Sequence, residues 1–73
     1  MEEGKRKFIE KLIETAQESV WKNELARDFA QKFAEGKEKE TKIKACEHAI
    51  KQDEQYISFL KEYLPENNIT STL

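Results

Sequence analysis

A chain of 73 residues holds one domain at most, and a domain this small leaves a large share of its surface in water. Its 27 apolar residues include six alanines, so burial offsets little of the ~1.5 kcal/mol of ordering entropy that each residue costs, and help from self-association or a partner is expected. Thirteen basic and 15 acidic side chains nearly cancel to a net charge of -2, which argues against a nucleic-acid binder driven by a gathered basic excess and against a strongly acidic mimic.

Residues 1–7 lead straight into an amphipathic stretch, so neither a signal peptide nor a membrane span is predicted. A lone cysteine, Cys46, makes no internal disulfide, and no CxxC or Cys/His cluster is present to hold zinc. A reducing, cytoplasmic setting is expected, with no membrane contact.

The first element is a helix over about residues 5–35. No proline or glycine interrupts residues 5–34, and Phe8, Ile9, Leu12, Ile13, Ala16, Val20, Ala26, Phe29, Ala30, Phe33 and Ala34 recur at helical spacing on one broad face. Trp21 and Leu25 fall off that face, one turn apart. Residues 35–42 carry no apolar side chain, and Gly36 is placed to end the helix with a turn. An uninterrupted rod would leave the second apolar stripe rotated by roughly a quarter turn from the first, so a hairpin fits better.

The second helix covers about residues 38–64. Ile43, Ile50, Ile57 and Leu64 stand at intervals of seven, with Cys46, Asp53 and Leu60 between them, which is a coiled-coil-like seam. Ala49, Tyr56, Tyr63 and Phe59 widen the apolar coverage beyond what one partner helix hides. Pro65 stops the helix, and residues 65–73 read as a polar, disordered tail. Glu3/Lys7, Glu18/Lys22, Asp28/Lys32, Glu38/Lys42, Glu40/Lys44 and Glu47/Lys51 all place the acid four residues before the base, the order that supports a helix.

The chain is therefore read as all-α: one helical domain over residues 1–64, an antiparallel hairpin that self-associates into a four-helix bundle along Ile43, Cys46, Ile50, Ile57, Leu60 and Leu64. The competing arrangement is a three-helix bundle with a break near residues 17–23, capped by Thr15 or Ser19, in which Trp21 and Leu25 are core.

Polar residues on the stripes come next. Asn23 and Asp53 fall at matching heights in a hairpin, a pair suited to fixing register, with Arg27 as counter-charge. His48 and Cys46, two apart on a helix, face different ways and cannot chelate one metal, and Cys46 on the seam reads as an inert apolar group. No nucleophile, acid–base or glycine-rich constellation is present, so no catalysis, metal or cofactor is expected.

The basic run Lys5, Arg6, Lys7 and Lys11 is a possible phosphate contact, whereas Lys37, Lys39, Lys42 and Lys44 are interleaved with glutamates. Asn68-Ile69-Thr70 is a glycosylation sequon, and Ser71-Thr72-Leu73 resembles a strand-adding carboxyl-terminal peptide; both are weak signals.

The functional expectation is a non-enzymatic protein–protein interaction module, a regulator, inhibitor or adaptor, whose partners are a second copy and a larger protein held through Trp21 and Leu25. The alternatives are a nucleic-acid-associated regulator using the segment from Lys5 to Lys11, and a purely structural oligomer.

Overall fold

A computed structural model describes residues 2–64 as two helices, α1 (Glu3–Phe33) and α2 (Gly36–Lys61), folded back on each other as an antiparallel hairpin. The three-helix alternative does not form, because α1 runs without a break through residues 17–23. Thr15 and Ser19 are good caps, but nothing between Lys5 and Phe33 removes a backbone donor or relaxes the chain, so the helix propagates past them.

The reversal is shorter than the polar stretch suggested, and Gly36 has a different role. Instead of ending α1, Gly36 opens α2. Phe33 is the last residue of α1, Ala34 (φ -84, ψ 159) and Glu35 (φ -135, ψ 155) are extended, and Gly36 turns the chain at φ 64. That left-handed conformation costs a residue with a Cβ roughly 1–2 kcal/mol, which is why glycine stands there. Residues 37–42 then enter the helix at once, since lysine and glutamate are good helix formers and Glu38 holds Lys42 at 3.0 Å. At the other side of the link, the Ala34 amide donates to the Ala30 carbonyl at 2.9 Å and satisfies one terminal acceptor of α1.

α2 ends at Lys61 rather than at Leu64. Tyr63 and Leu64 donate instead to the carbonyls three residues back, Leu60 at 3.0 Å and Lys61 at 3.1 Å. This tighter winding fits the sequence that follows, because Pro65 disfavours α geometry at the residue before it. The tail, the Asn68 sequon and the carboxyl-terminal Ser71-Thr72-Leu73 lie outside the described residues.

The core lies between the helices in two clusters. Near the open end of the hairpin Ile9 packs with Leu60 and Leu64, flanked by Leu12 and Ile13; near the middle Ala16 and Val20 pack with Ile50 and Ile57. Of the residues expected to form the self-association seam, Ile50, Ile57, Leu60 and Leu64 are buried against α1 within the single hairpin, while Ile43 and Cys46 towards the turn are half-buried. None of the described side chains is wholly buried. The molecule measures 52 × 22 × 14 Å, so its thinnest dimension is little more than one helix with its side chains. A single helical layer buries one seam and leaves both of its flanks open.

Candidate interaction surface

Among the described residues eight large apolar side chains remain exposed: Phe8, Trp21, Leu25, Phe29 and Phe33 on α1, Tyr56 and Phe59 on α2, and Tyr63 in the turn that follows it. The broad apolar face of the first helix is thus wider than α2 covers, and Phe8, Phe29 and Phe33, expected on that face, lie outside the core.

Trp21, Leu25, Phe29 and Phe33 are spaced by four, and each such step turns ~40° around a helix of 3.6 residues per turn. Relative to the seam residues Ile9, Ala16, Val20 and Ala30, Leu25 sits roughly opposite, with Trp21 and Phe29 about 140° to either side. The row therefore winds from the outer back of α1 towards the cleft. Trp21 and Leu25, 56% and 71% exposed, lie outside the hairpin core, not within a core as the three-helix alternative required.

The lower part of the row is built into a groove. Phe29 and Phe33 stack with ring centroids 4.8 Å apart at a 43° tilt, and Lys32 Nζ lies 5.7 Å from the Phe33 ring. Opposite them α2 contributes Lys42, Ala45 and Cys46, and the small side chains Ala26, Ala30 and Ala34 leave open space of about 620 Å³ between the helices. At the far end of the molecule Phe59 and Tyr63 pair at 5.2 Å and 59°. This groove was the feature hardest to see beforehand; its signal is four alanines, 26, 30, 34 and 45, near the turn.

The polar positions take local partners. Asn23 Nδ2 donates to the Ser19 carbonyl at 2.9 Å, inside its own helix. Asp53 Oδ2 is buried with no hydrogen-bond partner. Arg27 Nε is 3.6 Å from its neighbour Asp28. Hence the Asn23 amide donates within its own helix rather than to Asp53, and Arg27, the expected counter-charge, lies beside an exposed carboxylate. A side-chain amide one turn beyond a serine reaches that serine's carbonyl more readily than a carboxylate on another helix.

Of the six favourably ordered ion pairs, Glu3–Lys7 (3.9 Å) and Glu38–Lys42 (3.0 Å) lie within bridging distance, joined by Arg6–Glu10 (3.4 Å) in the reverse order. Two of the four cations in the segment from Lys5 to Lys11 thus have carboxylates beside them, although exposed pairs of this kind contribute less than about 1 kcal/mol each. His48 is exposed and Cys46 is free. Among the described residues no three His, Cys, Asp or Glu side chains are grouped to hold a metal, and no helix is long and apolar enough to cross a membrane.

Comparison with protein-family models, curated proteins and solved structures finds no match.

Proposed function

We propose that this chain is a non-enzymatic protein–protein interaction module that self-associates and presents the outer face of α1, centred on Trp21 and Leu25, to a larger protein that it regulates, inhibits or tethers in the cytoplasm. One observation carries this reading: among the described residues eight large apolar side chains stand in solvent, and no side chain is wholly buried. Exposed apolar patches beyond those of an ordinary monomer mark interaction sites. An aromatic and an aliphatic side chain one turn apart on a helix are the anchors of helix-mediated recognition.

The test is the double change Trp21→Glu with Leu25→Glu. Both side chains lie outside the hairpin core, so helicity and oligomeric mass are expected to persist while capture of the partner from cell extract drops by at least tenfold. Loss of folding would place both residues in a core and overturn the reading, as would unchanged capture. The captured complex is expected to survive moderate salt; a steep fall with rising salt would point to phosphate contacts through the segment from Lys5 to Lys11.

A further inference from the structure

We propose that the second copy packs against the grooved flank with the two hairpins antiparallel, so that each copy's Tyr56 enters the other's alanine groove; this rests on the self-association proposed above. The groove shows that Ala26 and Phe33 of α1 open onto the same flank as Ala45 of α2. Eighteen residues are five complete helical turns, so Phe8 points the same way as Ala26 and Tyr63 the same way as Ala45. Tyr56, eleven residues beyond Ala45, lies within about 20° of that direction. One flank therefore carries aromatic residues at the open end and a groove at the turn end. By the same arithmetic the other flank carries Arg6, Gln17 and Glu24 from α1 and Glu47 and Glu54 from α2, all polar. A layer with a single apolar side takes one further layer and closes, as an isologous two-fold dimer does.

Orientation follows from the contents of the flank. Stacking the two turns together sets one alanine groove against the other and leaves both empty, which forfeits contacts. Reversing one copy sets aromatic rings over grooves. Placing Tyr56 over Ala45 puts the two-fold axis near residue 50 of α2, and placing Phe8 over Phe33 puts it near residue 20 of α1. Those two positions are at the same height in the molecule, because Val20 and Ile50 share one core cluster. A single axis therefore satisfies both pairings.

The experiment is a distance measurement between nitroxide labels attached through Lys37→Cys in a Cys46→Ser background. At 1.5 Å per residue the antiparallel dimer separates the two labels by ~40 Å, whereas turns stacked together bring them within about 20 Å. A peak near the longer distance, together with a Tyr56→Glu variant that stays helical and becomes monomeric, supports the arrangement. A peak at the shorter distance overturns this orientation while leaving self-association standing. A Tyr56→Glu variant that remains dimeric overturns the groove contact. Monomer mass at every concentration overturns both this inference and the self-association it rests on, but not the outward face at Trp21 and Leu25.

Discussion

Leu60→Ala is expected to lower the melting temperature by roughly 15 °C, the largest single effect of any conservative change to the core. Leu60 is 4% exposed and is held between Ile9 and Leu64, with Leu12 and Ile13 alongside. Truncating a buried leucine costs about 3 kcal/mol, the lost transfer energy plus the cavity left behind. A chain of this length has a total stability of roughly 4–11 kcal/mol, and each kcal/mol moves the midpoint of so small a domain by ~4–8 °C. Thermal melts followed by circular dichroism at one fixed protein concentration measure the effect. Leu25→Ala, at a position 71% exposed, is the matched control and is expected to change stability by less than about 0.5 kcal/mol. Equal losses at the two positions would mean that the seam described here is not the core.

Asp53→Leu is expected to act in the other direction, raising stability by about 1 kcal/mol. Asp53 lies on the seam between Ile50 and Ile57, and its Oδ2 is buried without a hydrogen-bond partner. A desolvated, unsatisfied carboxylate oxygen costs more than a leucine of similar volume in the same place, and replacing buried charged groups with apolar ones is often stabilising. The side chain is only half-buried, so the gain is set at the lower end of the range for such replacements. A polar residue at a seam position also selects one register, so the more stable variant is expected to give a broader distribution of distances between labels placed on the two helices of one hairpin. A lower melting temperature would show instead that Asp53 is satisfied by a group outside the hairpin.

The helical class and the fold-back were legible because the signals were long-range and redundant. Two stretches with apolar residues at helical spacing, a seven-residue spacing from Ile43 to Leu64, and a polar interval containing glycine all point the same way. The helix ends were less legible because local chemistry decides them. Gly36 reads equally well as the last residue of one helix or the hinge at the start of the next, and only its φ of 64 separates the two.

Burial on α1 was the weakest inference. A broad apolar face shows that much must be covered but not how far one partner helix reaches, and Phe8, Phe29 and Phe33 on that face lie beyond its reach. Trp21 and Leu25 stood out because they break the stripe; that Phe29 and Phe33 continue their row emerges only when the steps of four are followed around the axis. Stripe position and matching height suggest the Asn23–Asp53 pairing, but neither reveals the nearer acceptor that the Ser19 carbonyl supplies.

Light scattering during size-exclusion chromatography, repeated over a series of concentrations, tests the account at its centre. A hairpin one helix thick with an aromatic flank is predicted to elute at twice the 8.6 kDa of a single chain, with any smaller mass appearing only on dilution. A mass of one chain at every concentration, with a melting temperature indifferent to dilution, would contradict it.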